Sequence, residues 1–204
     1  MALGDVDNDA VTEVVTGGYY NDGTRLIAQL VEWNGANLSV DTLNSWCWTI
    51  DTVIYSVAIG DVDNDGQTEI VTGGHYNDGS RNVAQLVVWT GSSLAVDRLT
   101  GWYWTGDTTI NSVVLSDVNG DGQVEVVTGG SYFDGVRNNA QLVVWSSSIL
   151  AAENIKTWYW TSNTAINTLA IGDVNSDFSN EIVTGGTFYD GTRLNSQLTV
   201  WGMT

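Results

Sequence analysis

Proline is absent from this chain, and cysteine and histidine occur once each among 204 residues. Without proline, the turns depend on glycine, asparagine and aspartate, which accept the backbone angles of tight turns. With Cys47 alone, no disulfide can form within the chain. Cys47 takes the place of Tyr103 and Tyr159 in the repeats described below, which indicates a packing position rather than a reactive thiol.

Basic residues are scarce as well. Six Lys and Arg stand against 24 Asp and Glu, which gives a formal net charge of −18. A field of that sign repels phosphate backbones, so we expect no nucleic-acid partner. No apolar run is long enough to span a bilayer, so we expect no membrane insertion. The first residues have neither a basic flank nor an apolar run, and no signal peptide is visible.

One acidic loop occurs four times, and successive copies start 56 residues apart. The aspartates that open the copies are Asp5, Asp61, Asp117 and Asp173. An unbroken interval indicates one structural unit repeated in register, and a single unit of this size cannot bury its own apolar faces. We therefore expect a single domain over residues 1–204. Its repeats are placed near 3–58, 59–114, 115–170 and 171–204.

The second copy shows the strand pattern most clearly. Short β-branched or aromatic runs alternate with Gly, Asn and Asp turns, at 54–60, 70–74, 84–89 and 94–105. Such runs are typical of strands joined by hairpins, and no window has a sustained helical period. The third run is apolar on both faces, so its sheet needs cover on two sides. The sequence therefore predicts an all-β chain, a β-propeller built from 56-residue, four-stranded blades.

Tryptophan follows the same interval. One series consists of Trp33, Trp89, Trp145 and Trp201, and a second of the pairs Trp46/Trp48, Trp102/Trp104 and Trp158/Trp160. Residues two apart on a strand share a face, so we expect each pair to present two indole rings together. Two interpretations stay open, namely packing between blades and an aromatic platform for a sugar ring.

The loop that begins at Asp61 has the composition of a hard-cation site. With Asp61 as position 1, carboxylates stand at positions 1, 3, 5 and 9, glycine at position 6 permits a sharp turn, and position 7 offers a backbone carbonyl. Calcium takes about six to eight oxygen ligands in flexible geometry, whereas magnesium is stricter and zinc prefers His or Cys. We therefore predict calcium. An EF-hand is excluded because position 12 is threonine and the flanks are strands.

The run SVAIGDVDNDGQTEIVTGG around this loop resembles the FG-GAP repeat, also described as VCBS-type, of integrin α-subunit propellers and related lectin and bacterial surface propellers. The similarity extends through four copies. It implies that the loop joins the first two strands of a blade and holds calcium. The ligands it implies in the two middle copies are Asp61, Asp63, Asp65, Gln67 and Glu69, and Asp117, Asn119, Asp121, Gln123 and Glu125.

The outer copies depart from this pattern at position 6, where Ala10 and Phe178 replace glycine. If position 6 needs a positive φ, a side chain there costs about 1 kcal/mol or more. We therefore expect up to four Ca²⁺ per chain, with the middle sites strongest and the fourth weakest. The outer ligand sets are Asp5, Asp7, Asp9, Val11 and Glu13, and Asp173, Asn175, Asp177, Ser179 and Glu181. The alternative is four acidic turns that only close hairpins.

A second motif, aromatic-x-Asp-Gly-x-Arg, also recurs in each copy and contains four of the six basic residues. Asp-Gly is a hairpin-turn signal, and the arginine can hold neighbouring blades in register. Alternatively, the ring, the carboxylate and the guanidinium form a ligand site for sugar hydroxyls or a sugar carboxylate. The residues of this candidate ligand site are Tyr20, Asp22, Arg25, Tyr76, Asp78, Arg81, Tyr132, Asp134, Arg137, Phe188, Asp190 and Arg193.

The chain holds about 3.6 repeats. Because propellers have about four to eight blades, we expect a homodimer in which a second chain completes one larger ring.

We predict a non-enzymatic, calcium-binding module for a glycan or a protein ligand. Weak loops of this kind suit the calcium concentration outside cells, so an extracellular or cell-surface location is expected. A purely structural, self-assembling propeller without a small ligand is the alternative. No catalytic motif accompanies His75, the one histidine, which we expect at the surface.

Overall fold

The regular secondary structure of the described residues is entirely β-strand. The computed structural model describes residues 1–202, which form fifteen strands in four antiparallel sheets. Three sheets have four strands and the last has three, and neighbouring strands follow one another in sequence. The prediction of an all-β chain built from repeated antiparallel units is confirmed. The described residues include no helix long and apolar enough to cross a membrane.

The strands of the four sheets lie at equivalent positions in the repeats. Sheet 1 contains β1 (Ala2–Gly4), β2 (Glu13–Asn21), β3 (Leu26–Trp33) and β4 (Val40–Trp46). Sheet 2 contains β5 (Thr52–Gly60), β6 (Glu69–Asn77), β7 (Asn82–Thr90) and β8 (Val96–Trp102). Sheet 3 contains β9 (Thr108–Ser116), β10 (Glu125–Phe133), β11 (Asn138–Ser146) and β12 (Ala151–Trp158). Sheet 4 contains β13 (Thr164–Gly172), β14 (Glu181–Tyr189) and β15 (Leu194–Gly202).

The sheets are offset from the predicted repeats. Each internal repeat boundary falls inside the first strand of a sheet, in β5, β9 or β13. Each acidic loop therefore opens a predicted repeat but lies between the first and second strands of a sheet. The predicted fourth repeat runs to residue 204, and its last two residues lie outside the described residues.

Successive sheets pack face to face through three apolar clusters. Between sheets 1 and 2, Ala28 and Leu30 of β3 belong to one cluster with Ile70 of β6 and Val87 of β7. Equivalent residues form the clusters between sheets 2 and 3 and between sheets 3 and 4. Because the second and third strands are apolar on both faces, each middle sheet contributes to two interfaces.

A tryptophan pair completes each interface. The indole at the end of the fourth strand approaches the indole of the third strand in the next sheet, with ring centroids 4.7, 4.6 and 4.9 Å apart. These pairs are Trp46–Trp89, Trp102–Trp145 and Trp158–Trp201. Trp89 Nε1 donates to Thr72 Oγ1 at 2.9 Å, so its polar atom is satisfied inside the interface. The packing interpretation therefore holds for these six residues.

The Gly-Gly pair in the second strand of sheets 2 and 3 allows two close approaches. In sheet 2, a Cβ on Gly73 would lie 2.4 Å from Cγ2 of Val113 in the next sheet. A Cβ on Gly74 would lie 1.9 Å from the carbonyl oxygen of Val53, beside the irregular register between β5 and β6. The first glycine thus sets the distance between sheets, and the second sets the distance between strands.

We predict that G74A lowers the free energy of unfolding by about 2–3 kcal/mol, because a backbone oxygen cannot move aside as a flexible side chain can. G18A is the matched control, since Gly18 holds the same place in sheet 1 and a Cβ there would meet nothing within 4 Å. Denaturant unfolding of both variants measures the difference. Equal stability of G74A and G18A would contradict the packing role of the pair.

Candidate metal centres and aromatic clefts

Each acidic loop connects the first and second strands of its sheet, as the family resemblance implies. The loops occupy residues 5–12, 61–68, 117–124 and 173–180. Because all four sheets have the same strand order, the loops emerge at the same end of each sheet. The repeat therefore places every candidate cation site at one edge of the stacked sheets.

Three hydrogen bonds recur in every loop and fix its shape. The position 9 glutamate accepts from the N–H of position 2, the position 1 aspartate from position 6, and the position 5 aspartate from position 7. In the second loop these bonds are Val62 to Glu69 (3.0 Å), Gly66 to Asp61 (2.9 Å) and Gln67 to Asp65 (2.7 Å). The other loops repeat all three. A loop ordered in advance loses little entropy when it binds an ion.

The φ angle at position 6 is positive in all four loops. It is 85° at Gly66 and 86° at Gly122, and it stays at 70° at Ala10 and 71° at Phe178. The two non-glycine residues therefore adopt a left-handed conformation that costs an L-residue about 1–2 kcal/mol. Phe178 is 99% exposed, so its ring gains no packing energy that would offset this strain.

Carboxylate oxygens converge in the first two loops. In each group, one oxygen per residue lies within 4.8 Å of the others, and the groups are Asp5, Asp7, Asp9 and Glu13, and Asp61, Asp63 and Asp65. Like charges at that separation repel one another, and a divalent cation between them would replace repulsion with attraction. These clusters could hold a metal ion, and their all-oxygen composition fits calcium.

In the third and fourth loops, an asparagine at position 3 bridges the carboxylates. Asn119 Nδ2 donates to Asp121 Oδ2 at 3.2 Å and to Glu125 Oε1 at 3.3 Å. The fourth loop repeats both bonds at 2.9 and 3.0 Å. An amide donor in this position relieves part of the repulsion without an ion. Judged by the residue at position 3, the first loop therefore resembles the second. Judged by the residue at position 6, the second loop instead resembles the third.

The buried glutamate at position 9 links each loop to the interior. Burial raises the pKa of Glu13, Glu69 and Glu125, and the backbone hydrogen bond opposes this only in part. The neighbouring aspartates raise the pKa further through like-charge repulsion. Cation binding to these carboxylates therefore competes with proton binding.

Arg98, which lies outside both sequence motifs, anchors the second loop. Its Nη2 lies 3.0 Å from Asp63 Oδ2, and its Nη1 donates to the carbonyl of Ser147 at 2.6 Å. Ser147 belongs to the turn between β11 and β12, so Arg98 ties a loop of sheet 2 to sheet 3. The bond spans 35 residues, and local spacing carries no signal for it.

Glu32 is a second charged residue that the motifs missed. It is buried, and its Oε2 has no hydrogen-bond partner among the described residues. Burial raises its pKa, and the charges of Asp7 and Glu13 in the first loop raise it further. The sequence signal was available, because the other copies have valine at this position, namely Val88, Val144 and Val200.

The aspartate of the aromatic-x-Asp-Gly-x-Arg motif is bound by its own turn. Asp78 accepts from the hydroxyl of Ser80 at 2.7 Å and from the N–H groups of Ser80 and Arg81 at 2.8 and 2.9 Å. These bonds lower the pKa of Asp78, and equivalent bonds lower that of Asp22 to about 2. Gly79 closes the turn with φ at 101°. Hydrogen bonds within the turn therefore occupy the carboxylate of Asp78. A role of this carboxylate in binding a ligand stays a prediction.

The arginine and the aromatic residue of the motif contact different neighbours. Arg81 lies over the ring of Tyr103, the residue that follows β8, 4.4 Å from the ring centroid. Tyr132 of sheet 3 stacks on Trp104 of sheet 2, with centroids 5.6 Å apart. Trp104 lies beyond β8, so Trp102 and Trp104 do not share a strand, but both indole rings line one cleft, as expected. Trp102 packs between sheets, whereas Trp104 lines the surface of the junction.

An aromatic cleft therefore runs along the junction between sheets 2 and 3 and along that between sheets 3 and 4. The cleft between sheets 2 and 3 has a volume of about 350 Å³ and is lined by Trp102, Tyr103, Trp104, Gln141, Val143, Trp145 and Ile155. A cleft of about 270 Å³ between sheets 3 and 4 is lined by Trp158, Tyr159, Trp160, Thr199 and Trp201. Gln141 Oε1 accepts from Trp102 Nε1 at 3.0 Å, while the buried Nε2 has no partner among residues 1–202. Aromatic walls suit a ligand ring that has apolar faces.

His75 is buried, and the expected surface location is wrong. It lies in β6, where its ring centroid is 5.5 Å from that of Tyr55 in the adjacent strand β5. Burial lowers the pKa of His75, which keeps the imidazole neutral at physiological pH. The charges of Asp107 and Asp51 oppose this shift only in part, and His75 Nδ1 has no hydrogen-bond partner among the described residues.

Comparison with known proteins identifies no relative by sequence. No family model matches the chain, and no curated protein matches it. Among solved structures, the biofilm matrix protein Bap1 of V. cholerae is similar, with a TM-score of 0.52 and 14% identity. The match covers 98% of this chain and 36% of that one, so the chain spans about a third of Bap1. At this identity the likeness concerns the fold alone.

We predict that F178G raises the free energy of unfolding by about 1 kcal/mol, because glycine accepts the positive φ without strain. F178A is the matched control, since it removes the same exposed ring and keeps a Cβ at φ 71°. Denaturant midpoints of both variants separate the backbone effect from the loss of the ring. An F178G variant no more stable than F178A would contradict strain at position 6.

Proposed function

We propose that the chain is a calcium-binding segment of a β-propeller of the FG-GAP type, with its four sheets as successive blades. The single observation that carries this proposal is the convergence of carboxylates in the first two loops, within a hydrogen-bonded frame that all four loops share. The face-to-face order of the sheets and the fold likeness to part of Bap1 support the blade assignment.

The proposed ions are structural. Each loop ties the first strand of a sheet to the second, and its position 9 glutamate reaches into the interior. Up to four Ca²⁺ per chain would offset part of the charge of −18 and remove the repulsion within the loops. Since carboxylates and backbone groups nearly fill the ligand shell, little room is left for a substrate on the metal. We therefore assign no enzymatic activity to these sites.

The proposed ligand is a glycan held in the aromatic clefts. The exposed rings of Trp48, Trp104 and Trp160 border equivalent junctions, and Gln141 lines one of them. Stacking of aromatic rings on apolar sugar faces is a non-enzymatic recognition mode. We place this adhesion module outside the cell, where calcium is abundant enough for weak loops. The description of Bap1 as a biofilm matrix protein fits that placement.

Calcium titration of chelator-treated protein tests the metal proposal. We expect binding heats by calorimetry and a higher melting temperature with Ca²⁺. D61N should reduce the number of bound ions by one, because Asp61 holds position 1 of the second loop. D41N is the control, since Asp41 is an exposed carboxylate on β4 outside the loops. If the wild-type protein gives no binding heat and no melting shift with Ca²⁺, the proposal is refuted.

The stabilisation by Ca²⁺ should grow with pH. The metal-free fold raises the pKa of Glu13, Glu69 and Glu125. The protonated glutamates therefore stabilise the metal-free fold at low pH, and this stabilisation is lost as the pH rises through the raised pKa values. Calcium binds the deprotonated forms. Melting curves should show a larger Ca²⁺-induced shift at about pH 7.5 than at about pH 5. A shift independent of pH would exclude these glutamates as ligands.

Binding to a panel of neutral and uronic-acid oligosaccharides tests the ligand proposal. We expect the triple variant W48A/W104A/W160A to lose about tenfold or more in affinity, which corresponds to about 1.4 kcal/mol. F178A serves as control, because it removes an exposed aromatic ring outside the clefts. Failure of the wild-type protein to bind any member of the panel with Ca²⁺ present would refute the glycan assignment and leave the metal proposal intact.

A further inference from the structure

Sheet 4 exposes to solvent the face that sheets 1, 2 and 3 bury. Leu198 in β15 is 72% exposed, whereas Leu86, its equivalent in sheet 2, is fully buried against sheet 3. Val174 and Val200 are exposed in the same way, while Val62 and Val88 are buried. The exposed apolar face of sheet 4 thus has the same kind of residues as the faces that pack between sheets, but no sheet packs on it among the described residues.

Sheet 1 exposes the opposite face. Leu38, in the turn between β3 and β4, is 63% exposed, whereas Leu94, the equivalent residue of sheet 2, is 2% exposed. Leu94 is buried because it belongs to the cluster between sheets 1 and 2, together with Leu30. Leu3 of β1 is exposed as well, and its equivalent Ile59 packs against that same cluster.

The two exposed faces are therefore complementary, because equivalent faces pack on one another within the chain. Within the chain, the face represented by Leu30 packs three times on the face represented by Ile59 or its equivalents Leu115 and Ile171. Sheet 4 presents the first kind of face through Leu198, and sheet 1 presents the second kind through Leu3 and Leu38. A junction between these two faces repeats apolar contacts that the molecule already makes, but without a tryptophan pair, because sheet 4 has three strands in the described part of the chain.

A polar contact follows the same repetition. The hydroxyl of Ser56 accepts from the N–H of Val113 in the next sheet at 3.0 Å, and Ser112 accepts from Leu169 at 3.1 Å. The next residue of this series is Thr168 in sheet 4, which is exposed. Thr168 can accept from a backbone N–H of a sheet docked on this face.

We propose that sheet 4 of one copy packs on sheet 1 of a second copy, and sheet 4 of the second copy on sheet 1 of the first. The two identical junctions close a two-fold dimer of eight sheets. Eight is within the range of about four to eight blades found in propellers, so two copies suffice for a closed ring. Closure also leaves neither apolar face free to build an open filament. This inference depends on sheet packing and not on the proposed metal or glycan.

Light scattering coupled to size exclusion tests the dimer in about 0.15 M salt, where the Debye length of about 8 Å weakens repulsion between the acidic copies. We expect the wild-type protein to have twice the 22.0 kDa mass of one chain. L198K and L38E should each be monomeric, because each places a charge in both junctions of its homodimer. V136E should remain dimeric, since Val136 is an exposed apolar residue in a turn outside both faces.

Mixing the two monomeric variants provides the sharper test. A heterodimer of L198K and L38E has one junction that pairs the two introduced charges and one wild-type junction. We therefore expect the mixture to regain the dimer mass, and circular dichroism checks that each variant is folded alone. A wild-type monomer, an open polymer, or a mixture that stays monomeric would each overturn the proposal. Measurements with Ca²⁺ and with chelator separate this outcome from that of the metal proposal.

Discussion

Face-to-face packing between neighbouring sheets is the interaction on which the rest of this molecule depends. A sheet of three or four short strands has two apolar faces and cannot cover either of them by itself. Gly73 and its equivalents let the next sheet approach until methyl groups fill the space where a Cβ would be. Once this distance is set, loops and clefts follow at fixed places, because each junction repeats the same contacts.

The acidic loops work against this packing unless their charge is balanced. The loops contain 14 of the 24 carboxylates, and the glutamate at position 9 is drawn into the interior. The protein balances this charge by three local means: backbone N–H groups in every loop, asparagine amides in the third and fourth loops, and Arg98 beside Asp63. The first loop has only the backbone bonds, so it retains the most uncompensated charge.

Much of the fold was predictable because strand and turn chemistry is local. The 56-residue interval, the Asp-Gly turns and the apolar runs predicted the strands of β5 to β7 to within a few residues. The positive φ at position 6 was also anticipated, and Phe178 shows that the backbone keeps this angle without glycine. Contacts between sheets were not predictable in this way. Trp104 leaves its strand to stack on Tyr132, and Arg98 meets a partner 35 residues away.

Departures from the repeat identify what is particular to each copy. Glu32 stands where the other copies have valine, and its carboxylate has an unpaired oxygen and three like-charged neighbours, Asp7, Glu13 and Asp41. A buried carboxylate costs stability unless an opposite charge compensates it, and a cation in the first loop would supply that charge. Ala10 at position 6 costs about 1–2 kcal/mol of backbone strain. A fifth nearby carboxylate strengthens the attraction for a divalent ion by a comparable amount, on the order of 1 kcal/mol or more at partly exposed sites. The charge around the first loop therefore favours cation binding there. Ala10 at position 6 is not sufficient reason to rank the calcium affinity of the first loop below that of the middle loops.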